Sequence, residues 1–328
     1  MKPSIQERAF SATGEQPDHG FVAEIRVAIQ RLNGQRFRGF LIFLLVLSMI
    51  FSRALSDLSQ LAIGSGLYSH IFLIPVVSLY LIGLRARVLP TTLRTSVAPG
   101  LCFLALGVLI LLLYQWAYAR GWSLERVDYL ARSSASFLAF ATAGAFLFLG
   151  TPFMRVIAFP WAFLVFIVPF PVAVENAIEV FFQHTSAEAA NVLLNLANVP
   201  NFRDGLSFKL PGITIRVAQE CSGIRSSFVL FITSLIAGQM FLRSPWNRAM
   251  FSLAVIPLGI LRNGLRILTI SWLCVHVGPE MIDSPIHHRG GPVFFALSLI
   301  PFFLLLFLLR RFDRKSRQSG RGGGKTFG

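Results

Sequence analysis

Residues 251–275 read FSLAVIPLGILRNGLRILTISWLCV, an apolar run with basic residues at its centre. A helix of about 20 apolar residues crosses the hydrocarbon core of a bilayer. The run is long enough, yet Arg262, Asn263 and Arg266 interrupt it within one turn of each other. Composition settles what kind of helix it is. At 54% hydrophobic and 14% charged residues, a 328-residue chain is too apolar for a soluble domain of its length. The net charge of +15 does not point to nucleic acid, because the basic residues sit in short clusters between and outside the apolar runs. That is the positive-inside pattern of a polytopic membrane protein.

Working outward from this run, the chain offers about eight candidate spans, near residues 40–54, 68–84, 97–119, 133–150, 154–173, 222–242, 246–275 and 292–309. Arg85, Arg87, Arg94, Arg155, Arg243 and Arg248 fall in loops without a nearby acid, which places those loops in the cytosol. The alternate loops mix signs, as in Arg120, Glu125, Arg126 and Asp128, and face outward. Both termini are then cytosolic. The expected organisation is a cytosolic leader at 1–39, one membrane-embedded domain at 40–309 and a basic, Gly-rich cytosolic tail at 310–328. The leader is too long and polar for a cleavable signal peptide.

The longest outward segment, 174–220, has a pattern of its own. Val174, Ala177, Ile178, Phe181, Phe182, Val192, Leu193 and Leu196 recur at helical spacing, so one or two amphipathic helices are expected on the membrane or on the bundle. Leu206, Phe208 and Leu210, then Ile213, Ile215 and Val217, alternate on either side of Pro211-Gly212, which predicts a small β-hairpin between spans five and six. The expected fold is therefore an all-α polytopic membrane protein with this outward helix and hairpin inserted.

The hairpin leads into Glu220-Cys221-Ser222-Gly223-Ile224-Arg225 at the start of span six. A helix N-terminus favours a thiolate, Arg225 lies one turn on, and the backbone N–H groups around Ser222 and Gly223 are anion donors. Arg266, some 10 to 15 Å below the outer surface at 1.5 Å per residue, and His287, just before span eight, reach a similar depth from the same side. Ionisable groups inside a span cost a few kcal/mol and usually face a cavity. Two readings stand for Arg262, service in this site or pairing with a lipid phosphate. Cys102 and Cys274 read as small buried residues. With three cysteines and no paired spacing, neither a disulfide framework nor a metal or cofactor site is expected.

In these residues the chain resembles the exosortase/archaeosortase family of membrane transpeptidases. Cys221-Ser222-Gly223-Ile224-Arg225-Ser226 is similar to the family's cysteine motif. Asn263-Gly264-Leu265-Arg266 is similar to its Asn-x-x-Arg motif, and His287 with Gly291 and Phe295 to its His-x-x-x-Gly-x-x-x-Phe motif. Tyr68-Ser69-His70 and Val168-Pro169-Phe170-Pro171 are supporting matches.

The resemblance implies a cysteine transpeptidase of the cytoplasmic (inner) membrane, its active site facing outward. Its partners would be secreted proteins ending in a short motif, a transmembrane helix and a basic cluster, with a lipid or surface glycan as acceptor. Cys221 would be the nucleophile, Arg266 the oxyanion partner and His287 the proton carrier, with Glu220, Ser222, Gly223, Arg225, Arg262 and Asn263 as accessories. Two other functions are compatible with parts of the pattern. One is a non-catalytic permease or assembly component for lipid-linked polysaccharide, which would use the arginines alone. The other is a protease that removes the signal without transfer.

Overall fold

The computed structural model describes residues 34–90, 92–122, 125–217, 223–286 and 290–322, with side chains to residue 313. The chain divides into two compact units, Met1–Val172 and Ala173–Gly328.

The first unit is built on α4 (Val97–Ala119) packed along α5 (Arg126–Phe148), with α1 (Gly34–Ile50) on the other side of α5. The small residues of α5 make this possible. Ala139, Ala141, Ala143 and Ala145 are buried, and such residues let membrane helices approach closely where lipid offers no hydrophobic drive for association. The start of α5 is fixed by a capping box in which Glu125 and Asp128 each take up the other's backbone N–H. Asp128 also accepts the N–H of Val172 at 3.0 Å. A kink at Phe51 turns the chain from α1 into α2 (Ser52–Gly64). A 3-10 turn (Ser69–Phe72) then leads into α3 (Leu73–Gly83). After α5 come two short helices, α6 (Gly150–Val156) and α7 (Ala158–Phe163), and a 3-10 turn (Leu164–Ile167). The supporting matches at 68–70 and 168–171 lie close together here, since His70 Nε2 meets the carbonyl of Phe166 at 3.2 Å and Tyr68 shares a hydrophobic cluster with Ile167.

In the second unit, α8 (Val172–Leu196) is followed by a three-stranded antiparallel sheet of β1 (Phe202–Asp204), β2 (Ser207–Leu210) and β3 (Ile213–Arg216). The turn at Pro211-Gly212 sets β2 against β3 with Leu210 opposite Ile213, and β1 adds a strand beyond the expected hairpin. Phe208, Leu210 and Val217 bury against Ala187, Ala190 and Leu194 of α8. Ile267, on α11, joins the same cluster. Three further helices, α9 (Ile224–Phe241), α10 (Pro245–Leu253) and α11 (Val255–His276), pack with α12 (Gly291–Gly322). Their shared core centres on Phe251 and Phe302, whose ring centroids lie 4.7 Å apart. Asp313 closes this end by accepting from the Arg243 N–H at 2.8 Å and the Asn247 amide at 2.6 Å.

The architecture is the expected all-α polytopic one, but several details differ. Among the described residues, five helices are long and apolar enough to cross a membrane, or up to seven if each of two bent pairs is one span. The pairs are α1 with α2, bent by 75°, and α6 with α7 and its 3-10 extension, bent by 78°. The remaining candidate, Ser69–Gly83, is about 22 Å long at 1.5 Å per residue, short of a bilayer core of about 30 Å. Hydropathy registers how apolar a stretch is, whereas a bend depends on which backbone hydrogen bonds are broken. The outward amphipathic pattern is one 25-residue helix, α8. Cys102, expected to be buried, is exposed on α4; Cys274 is buried as expected. The last helix continues past the expected end of its span at 309 to Gly322. Most of the leader, 1–33, lies outside the described residues.

Candidate active site

The polar group of α11 is deeply set. Arg262 is 6% exposed and Asn263 3%, and the place where they sit is shaped by Gly259 one turn earlier. A Cβ on Gly259 would lie 2.4 Å from the Ser227 hydroxyl, so only glycine lets α9 and α11 come this close. Ser227 is itself buried. Its hydroxyl accepts from Arg262 Nη2 at 3.1 Å, and the same nitrogen donates to the Gly223 carbonyl at 3.1 Å.

Gly223 is the residue before α9 and adopts φ +74°, a left-handed conformation that glycine takes without strain. Its carbonyl collects three donors: Arg262 Nη2, the Ser227 N–H at 3.0 Å and the Ser226 hydroxyl at 3.2 Å. Among the described residues Arg262 has no carboxylate partner, and its buried Nη1 has no hydrogen bond.

The chain on the other side of residues 218–222 is held equally firmly. Val217 donates its N–H to the Leu206 carbonyl at 2.9 Å, and its own carbonyl accepts from Gln183 Nε2 of α8 at 2.5 Å. Arg266, one turn beyond Arg262, lines a cleft of about 30 Å³ with Arg216, Val217, Asn263 and Ile270, which is room for a water or a single small group. Residues 218–222 thus run from an anchor at Val217, beside the Arg266 cleft, to an anchor at Gly223, on Arg262.

Glu220, Cys221 and Ser222 lie within that five-residue segment and His287 within 287–289, all outside the described residues. The chain around the second segment is bracketed by the Gly290 N–H, which donates to the Ile286 carbonyl at 3.1 Å. It enters α12, which packs on α11. Arg225 is exposed on the first turn of α9, away from the buried cluster of Arg262 and Asn263. The structure therefore brings Gly223, Arg262, Asn263 and Arg266 to the two ends of the Cys221 segment.

Three residues of this arrangement are absent from the sequence reading. Gln183 carried a signal, being a primary amide on the apolar face of a helix. Ser227 and Gly259 did not, since a lone serine and a lone glycine in apolar helices are ordinary.

Outside the spans, the sheet is tied to α8 by Arg203 and Glu188, 2.7 Å apart. The Arg203 guanidinium holds the Glu188 carboxyl below the usual carboxylate range, and Glu188 raises Arg203 in turn.

Compared with known proteins, residues 59–304 match the family model described as transmembrane exosortase (Exosortase_EpsH). No curated protein and no solved structure gives a match.

Proposed function

The chain belongs to the transmembrane exosortase family, and from that premise we propose that it is a cysteine transpeptidase acting at the outer face of the cytoplasmic membrane. Its substrates are secreted proteins that end in a short motif, a transmembrane helix and a basic cluster. The observation that carries this reading is the bond from Arg262 to the carbonyl of Gly223. It ties the α11 arginines to a point two residues from Cys221, with Arg266 lining the cleft at the other end of that segment.

The chemistry balances with the chain's own groups. The Cys221 thiolate attacks the scissile carbonyl carbon and forms a C–S bond, while Arg266 stabilises the oxyanion. The C–N bond breaks as the His287 imidazolium gives its proton to the departing amine, which leaves with the C-terminal helix. An amine or hydroxyl acceptor on a lipid or surface glycan then attacks the thioester and passes its proton to His287. Sulfur departs as thiolate. Arg262 holds Gly223, and so the helix start, in the geometry that presents Cys221.

The test is to co-express the chain with a protein bearing such a tripartite tail and to follow the tail's size. Cys221→Ala and His287→Ala, inserted normally in the membrane, abolish processing on this reading; unchanged processing in Cys221→Ala refutes it. Mass spectrometry of the new C-terminus separates transfer from hydrolysis, since a free carboxylate there identifies a protease instead.

A further inference from the structure

A cavity of about 710 Å³ in the first unit lies between α4, α5 and the broken helix α6–α7, within the range of about 300–1,000 Å³ typical of small-molecule sites. The break at Ile157 creates it, because α7 turns away by 78° from the line of α6 and leaves the faces of α4 and α5 uncovered. Its walls include Phe103, Ala139 and Ala162. The neutral polar groups in them are already used: Trp161 Nε1 donates to the Thr142 hydroxyl, Thr142 donates to the Leu138 carbonyl, and Thr151 donates to Ser96. Arg155, at the rim, is the exception. It is exposed and has no hydrogen-bond or ionic partner among the described residues.

Among the described residues, charge at this end of the unit is of one sign. The end of α5 packs with the start of α1 and with α6 through Phe40, Ala145, Leu149 and Phe153. Arg36 reaches Thr95 and Arg85 reaches the Val156 carbonyl, so further arginines gather around α6. Among the described residues, the unit's carboxylates are at its opposite end, where Asp57 pairs with Arg126, and Glu125 and Asp128 cap the start of α5.

We propose that this cavity binds an anionic phospholipid, with an acyl chain in the space under the break and the head-group phosphate on Arg155. An apolar chamber with satisfied walls calls for hydrocarbon, and an unpaired guanidinium at its rim calls for a phosphate. A basic pocket between helices is suited to an acidic head group. This proposal does not depend on the peptide chemistry proposed above.

The experiment uses the full chain in nanodiscs containing photoreactive phosphatidylglycerol or phosphatidylcholine, each with a diazirine on one chain, followed by peptide mapping. Phosphatidylglycerol labels the peptides of 135–142 and 158–168 about fivefold more than phosphatidylcholine, the ratio expected for one arginine at the surface. Arg155→Gln, which removes no hydrogen bond or ion pair among the described residues, brings the two lipids level. Ala162→Phe, which fills the cavity, abolishes labelling of both peptides. Arg120→Gln, at the opposite end, changes neither. Equal labelling by the two lipids in the unaltered protein leaves the cavity to a neutral chain or an apolar helix and overturns the proposal. So does a preference that survives Arg155→Gln.

Discussion

Arg262 donates one guanidinium nitrogen to the carbonyl of Gly223, 39 residues earlier in the chain, at 3.1 Å. A single bond thus joins the two halves of the site as read from sequence, the cysteine segment and the arginine helix. It also separates two jobs. Arg262 is committed to backbone and to Ser227, while Arg266 borders open space.

Substitutions at the two arginines therefore differ in kind. Arg266→Gln lowers processing by about 10² to 10³-fold, the cost of losing one oxyanion donor, and its thermal midpoint in detergent is measured alongside. Arg262→Leu lowers both, because Gly223 and Ser227 lose a charged donor, each such bond being worth roughly 1.5–3 kcal/mol. Parallel thermal unfolding and processing assays distinguish the pair.

Gly259→Ala forces a methyl group against Ser227. Such overpacking costs about 1–3 kcal/mol, read as a lower thermal midpoint. Combining it with Ser227→Ala, which removes the clashing hydroxyl, recovers at least part of the loss in a double-mutant cycle. Strict additivity of the two losses would show that the helices do not meet there.

Gln183→Leu strips the Val217 carbonyl of its side-chain donor. A loss of about 1–3 kcal/mol is expected from a buried carbonyl left without that partner. Hydrogen exchange at the amides following Val217 should rise, with a smaller change in the α10–α12 core.

The Glu188–Arg203 pair sets a pH dependence. Glu188 is held below its ordinary value in the fold, so its contribution is fully present above the unfolded carboxylate pKa of about 4.3. It disappears as pH falls through the lower folded value. Glu188→Gln is accordingly less stable than the native chain at pH 6, and the two converge below about pH 4 in a thermal-melt series.

Cys102 and Cys221 respond to different reagents. A membrane-impermeant maleimide added from outside labels Cys221 and spares Cys102, which is exposed on a helix able to cross the membrane. A lipophilic maleimide labels Cys102 as well. Mass spectrometry of the peptides reports both outcomes.

Much of this molecule is legible in the residues. The run at 97–119 becomes α4 with those same ends, because uninterrupted apolar sequence of span length has no other stable form in lipid. The arginine helix and the alternation through Phe208 and Ile215 follow from side-chain periodicities of 3.6 and 2. The kinks at Phe51 and Ile157 were not legible, since each pair of helices is apolar enough to read as one span and the bend is set by packing. Nor was the role of Ser227 or Gly259, or the division of labour between Arg262 and Arg266. The class of the protein and its long spans follow from local composition and spacing. Which guanidinium grips Gly223 and which borders the cleft was decided only by the crossing of α9 and α11, a distance between helices that no local pattern encodes.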